Sequence, residues 1–181
     1  MLCGFYAKGG ATVFFACESV LAMENQYALG YNRFSYEGDA MGKVIISVIG
    51  TQKDHSGEEN KIEFVSVGTH YQKNNKDFFR YEESGLSGLK AGHTVLKVDP
   101  AEVIILRMGQ VEQKLIFQEG KIRESLYQTP YGAFALSIET RSLSINLEQG
   151  CGEIKIHYDL TMEGQWQSEN RLAIVIQEEK S

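Results

Sequence analysis

From Lys43 onward the chain repeats one pattern: a run of β-branched and aromatic residues, then a short polar or glycine-bearing break, at intervals of about ten residues. The runs are Lys43 to Gln52, Lys61 to Gln72, Asp77 to Ser84, His93 to Asp99, Glu102 to Met108, Val111 to Gln118 and Ile122 to Thr129. Ala133 to Leu147 follows, long enough for one bent strand or two short ones, then Glu153 to Met162 and Arg171 to Gln177. The breaks carry turn chemistry: Lys73-Asn74-Asn75-Lys76, Asp99-Pro100-Ala101, Glu119-Gly120-Lys121 and Gly150-Cys151-Gly152. No helical period intervenes, so a parallel sheet with crossover helices is excluded. Nine or ten short strands in this order predict an all-β antiparallel sandwich or closed barrel.

Alternation assigns the faces. Ile154, Ile156, Tyr158, Leu160 and Met162 share one side of their strand, opposite Glu153, Lys155, His157, Asp159 and Thr161. Leu143, Ile145 and Leu147 alternate with small polar residues, and Leu172, Ile174 and Ile176 repeat the theme. One buried and one wet face is what a barrel wall requires.

The first forty residues differ in kind. They carry eight aromatics and two of the three cysteines, without period-two alternation or a sustained helical stripe. The apolar run Ala11 to Cys17 follows a single lysine and makes a poor secretory signal. Reverse translation of Glu37-Gly38 gives a purine-rich GAR-GGN tract just upstream of the Met41 codon, where a bacterial ribosome-binding site would lie. Met1 to Ala40 therefore reads as a translated leader, with residues 41–181 as the barrel domain; the alternative is an extension packed on that domain.

Charge and motifs narrow the chemistry mainly by exclusion. Eighteen basic against 24 acidic residues, a net charge of −6, argue against nucleic acid or an anionic membrane as partner. Cys3, Cys17 and Cys151 form neither a disulfide framework nor a zinc spacing. His55, His70, His93 and His157 show no metal-ligand spacing and read as solvated surface residues. Gly85-Leu86-Ser87-Gly88 lacks the pattern of a nucleophile elbow, and Cys151 reads as a turn residue. No cofactor, metal ion or catalytic residue is predicted. The glycines of Gly85 to Gly92 suit a barrel-end loop, with a flap over the barrel mouth as the alternative.

Several segments stand together in order: Gly50-Thr51-Gln52, Tyr81 to Leu89, Leu106-Arg107-Met108-Gly109, Tyr127 to Gly132, Gly152 to Leu160 and Asn170 to Ile176. Together they resemble the bacterial YwiB-like family, a domain of unknown function. The resemblance runs from about Met41 to Gln177. It implies a closed antiparallel calycin-like (lipocalin-like) barrel of eight to ten strands and a cytoplasmic home, and carries no activity. The Gly-x-Trp that marks true lipocalins near the first strand is absent, the single Trp being Trp166.

One constellation points to binding. Arg107 has the phase of Val103 and Ile105, and Glu83 the phase of Phe79 and Tyr81. If both point inward they must be paired, because an unpaired buried charge costs several kcal/mol. With Tyr127 and Tyr131 beside Thr129-Pro130, these residues predict a site of Tyr81, Glu83, Arg107, Tyr127 and Tyr131 for a small, partly apolar ligand. The structural alternative has Arg107 and Glu83 plugging the barrel and Thr129 to Gly132 making only a sharp corner. Two further readings are a homodimer using Ile45, Ile49, Ile104 and Leu106 on the wet face, and an enzyme using Glu83 as acid or base.

Overall fold

The computed structural model describes residues 42–82, 92–109 and 112–179, all within one unit, Ala40–Ser181. The expectations for Met1 to Ala40, for Glu83 and for most of the Gly85 to Gly92 segment lie outside the described residues. Ten strands follow in chain order: β1 Gly42–Asp54, β2 Glu59–Lys73, β3 Lys76–Glu82, β4 His93–Asp99, β5 Glu102–Met108, β6 Glu112–Phe117, β7 Ile122–Thr129, β8 Gly132–Glu148, β9 Cys151–Met162 and β10 Gln165–Glu178. Each pairs antiparallel with the next, and β1 closes on β10 from Val44↔Glu178 to Asp54↔Ser168. The result is a closed up-and-down barrel whose closure removes the exposed sheet edges.

Turn residues set the hairpins as their chemistry requires. Asn74 and Asn75 both take positive φ (51° and 60°) between β2 and β3. Gln149-Gly150 and Glu163-Gly164 repeat that geometry between β8 and β9 and between β9 and β10. Such two-residue turns match the twist of the flanking strands. Between β1 and β2, Asp54 Oδ1 accepts from Ser56 N at 2.8 Å and Ser56 Oγ at 2.6 Å.

The expected strands are present, with two instructive differences. β8 is one strand bent by a bulge at Thr140/Ser142. β10 starts at Gln165 rather than Arg171: polar Ser168 and Asn170 continue the core phase of Leu172 and Ile174 and are buried, and a second bulge lies before them at Trp166/Ser168. Cys151 opens β9 opposite Glu148 instead of lying in the turn. Among the described residues the thinnest seam is β6–β7, where the ladder pairs Glu112↔Gln128 and Gln113↔Tyr127.

The barrel interior is filled along much of its length. Val44, Ile46, Phe79, Leu96, Val103, Phe117, Ile138, Ile154, Ile156, Ile174 and Ile176 are buried together, each large side chain contributing about 1.5–3 kcal/mol by leaving water. Rings from distant strands meet: Phe117 of β6 lies 4.9 Å from Tyr158 of β9. Some outward-phase positions are less wet than alternation implies. Asp159 is buried, accepting from Arg141 Nε at 2.6 Å and Trp166 Nε1 at 3.3 Å. Ile104, between Lys97 and Ile116 in the ladder, is also buried.

Candidate functional site

Strand register gathers the sequence-predicted residues into one line. Residues directly opposite each other in an antiparallel ladder point to the same face. Tyr81 is opposite Thr94, Thr94 opposite Arg107, Arg107 opposite Gln113, Gln113 opposite Tyr127, and Tyr127 opposite Phe134. Tyr81 belongs to the buried core, so this rung faces inward. It lies toward the barrel end that carries the β3–β4, β5–β6 and β7–β8 connections. Gly68 of β2, opposite Tyr81, lets the wall close in, since a Cβ there would strike Arg80 O and the Ile46 side chain.

More polar groups share this part of the interior, and alternation alone did not mark them as a set. Tyr158 has Thr140 opposite on β8 and Asn170 opposite on β10. Asn170 Nδ2 donates to Ser168 Oγ at 2.9 Å, and Gln52 Nε2 donates to the same oxygen at 2.9 Å. Burial pushes the Tyr158 phenol up to about 12, with the nearby Arg107 cation pulling the other way. Among the described residues the buried Oγ1 of Thr140 and Oγ of Ser125 have no hydrogen-bond partner. An unmatched buried hydroxyl costs about 1–3 kcal/mol, so the interior holds unused hydrogen-bonding capacity.

Of the predicted site residues, Tyr81, Arg107 and Tyr127 share the rung. Tyr131 does not: it sits at the tip of the β7–β8 turn and is 96% exposed. Thr129 and Gly132 close that turn, Thr129 Oγ1 donating to Gly132 O at 3.0 Å and accepting from Tyr131 N at 3.1 Å. The Pro130-Tyr131 pair therefore forms the tight corner and aims the tyrosine into solvent.

Two histidines differ from the solvated reading. His70 faces inward at the opposite end, opposite Phe79 in the ladder and stacked on it at 4.7 Å. Its Nε2 lies 2.7 Å from Asp77 Oδ1. His157 stands on the outer wall, 2.8 Å from Glu169, which also accepts from Arg171 Nη2 at 2.9 Å. Next to them Thr51, Lys53, Glu59, Glu169 and Arg171 line a shallow outer depression of about 100 Å³. Its charges are mixed, two cations against two carboxylates, and Arg171 is paired with Glu169. Among the described residues no three His, Cys, Asp or Glu side chains cluster to hold a metal ion.

A closed up-and-down antiparallel barrel with a polar inner rung near one end defines a calycin-like barrel protein. The chain matches, over residues 46–174, the family described as Domain of unknown function (DUF1934), and it belongs to that family. It is 32% identical over 108 residues to the uncharacterized beta-barrel protein YwiB of Bacillus subtilis (strain 168), covering 59% of this chain and 74% of that relative. The crystal structure of the ywiB protein from Bacillus subtilis superposes with a TM-score of 0.68 at 23% identity, covering 81% of this chain and 99% of that one. That likeness shows the fold.

Proposed function

We propose that this barrel binds a small, partly apolar molecule at the end marked by Tyr81, Arg107 and Tyr127, without altering it chemically. The supporting observation is the coexistence of unmatched buried hydroxyls (Thr140, Ser125) with an aromatic floor of Phe117 and Tyr158. Filling by Phe79, Phe117, Ile138 and Ile154 favours a place near the end of the barrel over its centre. Native mass spectrometry of gently purified protein tests the reading. A retained small molecule, lost on Tyr127→Ala, supports it; a bare mass, with no stabilisation across a metabolite thermal-shift panel, overturns it.

A second reading is pairing with another copy through the outer face of β2, β1 and β10. Val65 and Val67 are 63% and 57% exposed; Ile45 lies opposite Val67 in the ladder, and Ile49, opposite Glu63, is on the same outer face. Both rims of this patch carry both signs, Lys43 with Glu179 at one and Lys61 with Glu63 at the other. A two-fold axis would therefore bring opposite charges together around an apolar centre.

A further inference from the structure

We infer that the β6–β7 seam is a side window through which small, partly apolar molecules reach the barrel interior, held shut by Arg123 and Gln118. The inference rests on the small-ligand reading above and names the route to that site.

Strand pairing frames the window. β6 stays joined to β5 from Val103↔Phe117 to Arg107↔Gln113, and β7 to β8 from Ile122↔Glu139 to Thr129↔Gly132. Between β6 and β7 the end away from their turn is zipped, at Glu112↔Gln128 and Gln113↔Tyr127. Continued in that register, the ladder would join Leu115 to Ser125 and Phe117 to Arg123; among the described residues it does not. The gap is thus bounded by β6, by β7, by the Gln113–Tyr127 pair and by the turn at 118–121. That turn is fastened to β8, Gly120 N donating to Thr140 O at 2.8 Å and Thr140 N to Lys121 O at 3.1 Å.

Side chains close the frame where ladder bonds do not. Leu115 packs against the core from β6. Arg123, opposite the core residue Ile138, has inward phase, and its Nη2 donates to Gln118 Oε1, linking the two sides at the foot of the gap. A single side-chain pair opens at lower cost than a strand ladder, whose bonds break as a unit.

The surroundings suit passage of a partly apolar molecule. On the outer face Ile116 and Leu126 are half-buried and Ile122 is 61% exposed, so the lips are apolar. On the inner face Phe117 lies 4.9 Å from Tyr158, and the buried hydroxyls of Ser125 and Thr140 have no partner among the described residues. Tyr127 of the polar rung borders the gap at its zipped end. The window therefore gives directly onto the residues that the small-ligand reading uses.

Cysteine labelling tests the route without any bound ligand. The full chain carrying Thr140→Cys is treated with N-phenylmaleimide, itself small and partly apolar, and modification is followed at that peptide by mass spectrometry. Thr140 is fully buried beside the window; Val48→Cys, in the core on the opposite wall, is the comparison. With each rate corrected by the same variant unfolded in urea, Thr140→Cys is expected to react about tenfold faster than Val48→Cys. Arg123→Ala and Gln118→Ala, each removing one side of the latch, are expected to raise the Thr140→Cys rate several-fold and leave Val48→Cys unchanged. Equal rates at the two positions overturn the window, as do latch variants that raise both alike or move neither. A retained ligand with equal labelling rates sinks the window alone, while a bare protein with fast Thr140→Cys labelling sinks the small-ligand reading and leaves the opening in place.

Discussion

The imidazole of His70 occupies the place where a Cβ at Gly150 would stand. A strand-borne side chain from β2 thus packs directly on the α-carbon of a turn between β8 and β9, across the far end of the barrel. Gly150 also has φ of +78°, a conformation that disfavours any side chain. Gly150→Ala should therefore cost about 2–4 kcal/mol, combining left-handed strain with a clash. Gly57→Ala, at φ +83° with nothing nearby, should cost only about 1 kcal/mol. Urea titration of both, with His70→Ala added to complete a double-mutant cycle, checks the contact: the double variant should recover part of the Gly150→Ala loss.

Tyr158 gives a pH signature. Its phenol rises from an ordinary value of 10.0 to about 12 in the fold, so the folded state holds this proton more tightly than the unfolded chain does. The stabilisation is complete below pH 10 and is lost as pH rises through 12, a loss of about 2–3 kcal/mol. Denaturation midpoints between pH 9 and 12 should fall more steeply for the parent than for Tyr158→Phe. Phenolate absorbance should show one late-titrating tyrosine that the variant lacks; equal slopes would place this ring in water.

The β2–β3 turn separates backbone conformation from packing. Asn75 sits at φ 60° at a hairpin tip, where asparagine and glycine are favoured over other residues. Asn75→Ala should destabilise by about 1 kcal/mol, and Asn75→Gly should be neutral or slightly stabilising. Thermal unfolding of the pair checks it: equal losses in both variants would show that the Asn75 side chain, rather than its φ, matters.

Self-association has its own test. If two copies meet through the outer face of β2, β1 and β10, light scattering should report a dimer that Val65→Lys with Val67→Lys converts to monomer. Both positions are strongly exposed, so the double variant should change stability by less than about 0.5 kcal/mol per site. A parent protein that is monomeric at high concentration removes the second reading.

The legible part of this protein is the part governed by local physics. Period-two alternation and turn chemistry located the strands, and the inward placement of Ile154, Ile156, Ile174 and Ile176 follows from the pleat alone. Polarity misplaced the start of β10: the strand begins at Gln165 rather than Arg171, and Ser168 and Asn170, in phase with Leu172 and Ile174, are buried inside. It also misjudged His70 and Asp159, because polar residues in core phase, or buried on the outer wall, depend on partners brought from elsewhere. Asp77 and Phe79 serve His70, and Arg141 and Trp166 serve Asp159.

The candidate site divides the same way. Phase alone put Arg107 with the core residues of β5, and Tyr81 with those of β3. That Thr94 stands between them, that Gln113 and Tyr127 continue the rung, and that Tyr158 approaches Arg107 from β9 are consequences of register and closure. Register is a relation between strands, and only closure brings β9 across from β5. Tyr131, two residues beyond Thr129, points into solvent because a turn reverses the chain there. The amino-acid order determined the strands, their turns and their faces, since each depends on neighbours within a few residues. The tertiary structure decided which inward side chains meet and which hydroxyls lack partners, because those depend on contacts between strands far apart in the chain.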